Sequence, residues 1–373
     1  MPKKICIVSY TDASRDPRVL RQVLYFRNHY RVALWGLKDP ELDGVEFSPI
    51  VRLPKKSLGE AMRAACLLLG NTAPARKRFT PLAPLPKGRE YELVLCDDAE
   101  PLPLAFELAK GAPVLFDAHE YYPLEFESSL KWRLFLKRYL TDLCRQYIPL
   151  CAAMTTVSKG LANRYLQDFG VLPQIVHSCP EGCALVPSQT SPGHIRLVHH
   201  GAANKDRGLE QMIDAMRLLD GRFSLDFYLV GNQSYIQQLK DRAADLPSIA
   251  WRTPLPMLEL ARGLNSYDMG FYILAATGFN NLHALPNKFF EFIQARLGIA
   301  IGPSPDMADI VQERRIGAVA SSYSPEDMAA CLRTLTDEDV AAFKAQAHAA
   351  ASVFTAENEM KKMHALVARL LGE

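Results

Sequence analysis

The feature that most constrains this 373-residue chain is an alternation, present in both halves, of short apolar β-runs with helical stretches. In the first half KICIVSY (4–10), YRVALWG (30–36), YELVLCD (91–97), PVLFDAH (113–119) and AAMTTVS (152–158) read as strands. Helices are expected at 101–110, 128–147 and 159–168. Asp16-Pro17-Arg18-Val19 opens another, with Asp capping the free amides and Pro at the first helical position. Strands separated by helices predict a parallel α/β sheet. The pattern weakens over 171–194, which is rich in Pro, Ser and Cys, and restarts with the strand IRLVHHG (195–201) and the helix GLEQMIDAMRLL (208–219). Two open α/β units with a cleft between them are therefore expected. We divide the chain as 1–178, a linker at 179–194, 195–354, and a C-terminal helix at 355–373 that can return to the first domain.

Composition narrows the class. With 49% hydrophobic and 23% charged residues, the chain is neither disordered nor collagenous. No run reaches the roughly 20 apolar residues of a membrane span. The N-terminus reads as a first strand rather than a signal peptide. Eight cysteines, most in apolar contexts, are too few for a disulfide scaffold, so reduced thiols and a cytoplasmic location are expected. Neither half carries a GxGxxG fingerprint or a Walker-type loop, which leaves hydride transfer and P-loop chemistry without a motif.

Several segments, in order, resemble the GT-B nucleotide-sugar glycosyltransferases, particularly the large retaining bacterial family that builds lipopolysaccharide, capsule and lipid-linked sugars. They are LVHHGAANKDRGLEQMIDAM (197–216), FYLVG (227–231), MGFYI (269–273) and above all LPNKFFEFIQARLGIAIGPSPDMADIVQERRIGAV (285–319). In the first half, SYTDASRDPRVLRQV (9–23), FDAHEYYP (116–123) and TTVSKGLANRY (155–165) are similar to the family's acceptor domain. The resemblance implies two Rossmann-like domains facing each other across a cleft. The C-terminal one would bind a UDP-, GDP- or dTDP-sugar as donor substrate, and the N-terminal one a saccharide or lipid-linked acceptor. It implies no cofactor and no metal.

Residue by residue, Glu291 falls just inside a helix starting near Asn287, where a carboxylate accepts both ribose hydroxyls in the family. Lys288 is three residues earlier on the same face, so its ammonium and the helix-start amides suit a diphosphate. Arg207, with Lys205 nearby, stands where the family places a cation for the departing phosphates, after Gly201. Two departures are visible. Ala202 takes the place of an Arg that many retaining members carry, and His283 takes the first position of their Glu-x7-Glu pair. Asn281, His283 and the backbone around Leu285 remain candidates for the sugar and phosphate. On the acceptor side, His119 and Glu120 end an apolar strand, and the matching His faces the donor sugar in the family. An inverting enzyme would instead use His119, Glu120 or Asp12 as base. Asp16 and Arg18 complete that group, although Asp16 is already explained as a cap.

The His177–Cys183 stretch holds one isolated C-x3-C, too little for a zinc site. Net charge is only +2, yet nine Lys/Arg and one acidic residue lie between Arg52 and Arg89, and KWRLFLKRYL (131–140) interleaves four cations with aromatic and aliphatic residues. Such stretches fit an anionic membrane surface at the inner face of the membrane. Nucleic acid is not expected, because no binding motif accompanies them.

Overall fold

The computed structural model describes residues 2–52 and 79–373. It divides into two compact units, Met1–Val176 with Met360–Glu373, and His177–Glu359. Most of the basic 52–89 stretch therefore lies outside the described residues.

The first unit is an eight-stranded sheet of β1 (Lys4–Val8), β2 (Arg31–Gly36), β3 (Val45–Arg52), β4 (Phe79–Pro81), β5 (Leu93–Asp97), β6 (Val114–Ala118), β7 (Ala153–Thr156) and β8 (Gln174–Ile175). Their order is β4-β3-β2-β1-β5-β6-β7-β8, and among the described residues only the β3–β4 pairing is antiparallel. Central parallel strands are covered on both faces and so must be apolar throughout; Ile5, Cys6, Ile7 and Val8 are fully buried. The order reverses between β1 and β5, which marks that edge as the ligand-binding crevice of such a sheet. Asp16 caps the Pro17–Phe26 helix as expected, its Oδ1 accepting from the Arg18 amide at 3.0 Å. Val19, Val23 and Phe26 of that helix share a core with Met363 and Val367 of the C-terminal helix Ala356–Leu371.

The expected 128–147 helix is two, Leu130–Phe135 and Lys137–Tyr147, which meet at Leu136 with φ −110°. No Pro or Gly stands at that break to announce it. Strand β3 escaped the sequence reading because Pro49 interrupts its pattern.

The second unit is wholly parallel: β9 (Ile195–Ala203), β10 (Phe223–Gly231), β11 (Ile249–Trp251), β12 (Met269–Tyr272), β13 (Gly298–Ile301) and β14 (Gly317–Val319). The order β11-β10-β9-β12-β13-β14 is the doubly wound order of dinucleotide-type folds, reversing between β9 and β12. Residues 179–194, read as a linker, pack onto this unit. Arg296 Nη2 donates to the Cys183 carbonyl at 2.6 Å, and Ser188 Oγ to that of Asn265 at 2.6 Å. Cys179 is buried in the same core, and His177 lies against the Phe290 ring. Among the described residues, no helix is long and apolar enough to cross a membrane.

Candidate functional site

The C-terminal end of β9 meets the helix Asn287–Gln294 in a cationic corner beside the switch point of the second unit. Gly201, near the C-terminal end of β9, takes φ +116°, a conformation other residues resist. A Cβ there would come within 3.2 Å of Lys288 Nζ, so glycine also makes room for the lysine. Lys288 is only 7% exposed. Its Nζ lies 3.1 Å from His199 Nε2 and 4.5 Å from the centre of the Tyr272 ring. Arg207 closes the other side, Nη1 donating to the Tyr272 hydroxyl at 3.0 Å. His199 Nδ1 lies 2.9 Å from the Phe271 carbonyl, which fixes the Nδ1–H tautomer and turns the Nε2 lone pair toward Lys288. Ala202 places no cation at the C-terminal end of β9, and Lys288 supplies one there from the neighbouring helix, beside Gly201.

The electrostatics follow from burial. Desolvation, then repulsion from Arg207, holds the Lys288 ammonium well below the ordinary lysine range, and Glu291 opposes both. Desolvation and Lys288 likewise push His199 well down and His200 to about 3. His200 Nε2 stands 3.3 Å from Glu291 Oε2, an ion-pair distance. A neutral imidazole makes no ion pair, so we read this as a packing contact that turns the Glu291 carboxylate.

Helix Asn287–Gln294 begins at Pro286 with no side-chain cap; the Phe289 amide donates to the Pro286 carbonyl at 2.9 Å, which leaves the amides of Asn287 and Lys288 to an outside acceptor. Leu285 is buried, so only its backbone is available to a ligand. His283 does not present an open ring: Nδ1 is 2.7 Å from Asp306 Oδ2, and Phe279 packs on it at 4.6 Å. Asn281 Nδ2 donates to Thr277 Oγ1 at 2.6 Å. Lys205 lies over the Tyr235 ring at 5.6 Å, on the helical side of the turn. The structure thus gathers Gly201, Arg207, Lys288 and Glu291 and leaves Lys205 outside that group.

The first unit carries its own polar cluster at the sheet edge. Asp97 and Asp117 are register partners on β5 and β6, and Thr155 is the next partner on β7. Gln22 Nε2 donates to Asp97 Oδ1 at 2.9 Å and to Asp117 Oδ2 at 2.7 Å, while Thr155 Oγ1 donates to Asp117 Oδ1 at 2.6 Å. His119 Nε2 faces the same two carboxylates at 3.5 and 3.4 Å. Burial raises Asp97 far above the carboxylate range and Asp117 to about 6, and lowers His119. The imidazole is therefore neutral, with Nε2 toward the two carboxyl groups. These three side chains are the one metal-type ligand group among the described residues, but the carboxylate oxygens nearest His119 already accept from the Gln22 amide.

Nearby, Tyr122 Oη donates to Asp98 Oδ1 at 2.5 Å. Charge attraction from Arg18 and this hydrogen bond oppose the upward push of burial on Asp98. Glu120 is exposed, its carbonyl held by the Tyr165 hydroxyl at 2.7 Å. Asp12 accepts from Ser14 in a loop turn. The sequence reading missed Gln22, Asp97, Asp117, His199 and Tyr272. An Asp at or next to the end of each of two apolar strands, LVLCD and VLFDA, was the signal for the carboxylate pair.

No protein-family model matches the chain, and no curated protein matches its sequence. Solved structures do. Over 99% of both chains it superposes on a sucrose-phosphate synthase from Thermosynechococcus elongatus with a TM-score of 0.72 at 10% identity. Anabaena HepE in complex with UDP-glucose matches with a TM-score of 0.67 and 13% identity over 98% of this chain and 100% of that one. An α,α-trehalose-phosphate synthase (UDP-forming) from Burkholderia vietnamiensis gives 0.65 and 10% over the whole of both. At such identities the likeness is one of architecture, and it agrees with the strand order of both sheets: the chain has the GT-B fold.

Proposed function

We propose that this protein is a glycosyltransferase that moves a sugar from a nucleoside-diphosphate donor to a saccharide or lipid-linked acceptor. One observation carries the reading: Lys288, Arg207 and Glu291 converge with an uncapped helix start at the switch-point edge of the second sheet. Two cations and free amides suit a diphosphate, and a carboxylate beside them suits a ribose diol. The structural neighbours add support, since HepE is solved with UDP-glucose and the trehalose-phosphate synthase is described as UDP-forming.

In the retaining version, the leaving diphosphate itself accepts the acceptor's proton, and Arg207 with Lys288 stabilises the charge that develops on it. No protein nucleophile is required. A specific observation supports an inverting alternative: His119 Nε2 lies within 3.5 Å of Asp97 and Asp117, which orient the imidazole of a candidate base. The anomeric configuration of the product distinguishes the two. A binding protein or epimerase on the same fold would give no acceptor-dependent product.

For the acceptor we favour a lipid-linked saccharide in cell-surface polysaccharide or glycolipid synthesis. Phe126, Leu130 and Leu134 are exposed beside the exposed cations Lys131, Arg133, Lys137 and Arg138. Apolar side chains ringed by cations suit the boundary of an anionic bilayer. The experiment is turnover of UDP-, GDP- and dTDP-sugars with a polyprenyl-linked saccharide. Release of nucleoside diphosphate together with a lengthened acceptor supports the reading; hydrolysis or binding alone removes it.

A further inference from the structure

The corner at the end of β9 gathers a buried lysine and an arginine around Glu291. The titratable and charged groups that bear on Lys288 are His199 and His200 from β9, Arg207 from the 205–207 turn, Tyr272 from β12, and Glu291 from its own helix. His199 has committed Nδ1–H to a backbone carbonyl, so it offers the buried amine only a lone pair. That is enough to aim Nζ at Gly201 and too little to replace the water shell of an ammonium. Both imidazoles are held neutral, so no proton is already stored there.

Resting on the reading of this corner as a diphosphate site, we propose that a nucleoside diphosphate binds here together with one proton from solvent. The Lys288–His199 pair takes up that proton, and His199 is a positioning residue that makes the coupling possible. In the empty corner, Lys288 is an amine donating to His199 Nε2. A bound diphosphate brings negative charge against Nζ and cancels the repulsion from Arg207, so the amine becomes an ammonium. One N–H bond forms, one buffer acid loses a proton, and no electrons move. The depressed lysine pKa agrees with this, since its first cause is burial and its second is the cation that the anion would neutralise. Affinity then falls by as much as about tenfold per pH unit above the pKa of the free pair.

The test is titration calorimetry of the full chain with UDP, GDP, dTDP and CDP. It is run at about pH 8, where a terminal phosphate with a second pKa near 6 is fully ionised and contributes no proton itself. Tris and HEPES differ in ionisation enthalpy, so proton uptake appears as different binding heats in the two buffers. Wild type is expected to take up a measurable fraction of one proton. Lys288→Arg keeps a cation that does not titrate and should bind with equal heats in both. If that variant melts below wild type, Lys288→Met serves instead, with weaker binding and no uptake. His199→Gln should change the proton count as well as the affinity, whereas loss of a merely structural histidine would lower affinity alone. Binding with equal heats in wild type overturns the proton coupling and leaves the diphosphate site standing. Uptake that persists in Lys288→Arg also overturns it. No heat with any of the four overturns both the coupling and the diphosphate reading.

Discussion

Lys288 Nζ sits 3.1 Å from His199 Nε2, a buried amino group facing an imidazole lone pair. Neither group gains from this arrangement in an empty protein, because burial disfavours the charged form of each. A site that is unfavourable when empty and improved by an anion is the sort that functional pressure retains.

Glu291→Ala should weaken nucleoside-diphosphate binding by about 1.5–3 kcal/mol, the usual worth of hydrogen bonds to a charged group. The fold should survive, since Ala is a good helix former and Glu291 is only partly buried. Calorimetry with the wild-type ligand checks this, and unchanged affinity would remove Glu291 from the site.

Arg207→Ala should lower kcat by about 100-fold while changing donor affinity less, because its charge matters most as the leaving group forms. Tyr272→Phe should reproduce part of that loss by releasing the Arg207 guanidinium from its 3.0 Å hydrogen bond. Steady-state kinetics decide. A rise in KM with constant kcat would reassign Arg207 to ground-state binding.

The buried titratable groups give pH effects of opposite sign. Asp117, raised to about 6 in the folded chain, keeps its proton where the unfolded chain has lost it. Its contribution therefore erodes as pH rises from about 4 to 6. His200, lowered to about 3, stays neutral where the unfolded chain takes a proton, so its contribution erodes as pH falls from about 6.5. Relative to wild type, the Tm of Asp117→Asn should improve toward pH 6 and that of His200→Gln toward pH 4. Parallel Tm profiles would contradict both assignments.

Much of the architecture was legible because parallel strands must be apolar throughout, which made β1, β5, β6, β9, β10 and β12 stand out as runs. The donor corner was legible in part. Lys288 and Glu291 share a helix face at a spacing that sequence reveals, and Arg207 precedes a glycine. His199 and Tyr272 were not legible, because their relation to Lys288 comes from three separate elements meeting at one sheet edge. The Asp97–Asp117 pair was hidden for the same reason, since strand register and not spacing puts the two carboxylates side by side. Lys205 shows the converse: adjacent in sequence to the corner, it turns instead toward Tyr235.

The exposed Leu130 and Leu134, with Lys131, Arg133, Lys137 and Arg138 around them, should carry the protein onto phosphatidylserine-rich vesicles far more than onto zwitterionic ones. Each cation near such a surface contributes about 1 kcal/mol, and added salt should release the protein. Changing the four cations to Gln should lower sedimentation with the vesicles while leaving Tm unchanged. Equal sedimentation of wild type and variant would turn attention to soluble acceptors.

The central claim is that the corner of Arg207, Lys288 and Glu291 is a nucleoside-diphosphate site, and a thermal-shift panel of UDP, GDP, dTDP and CDP tests it most directly. A ligand that binds only the folded chain stabilises it by about 2.7 kcal/mol at a hundredfold excess over Kd. The account predicts that at least one of the four raises the Tm of wild type, and that Glu291→Ala and Lys288→Met each shrink the rise. A wild-type Tm unmoved by all four at millimolar concentration, or a rise that both variants keep in full, would contradict it.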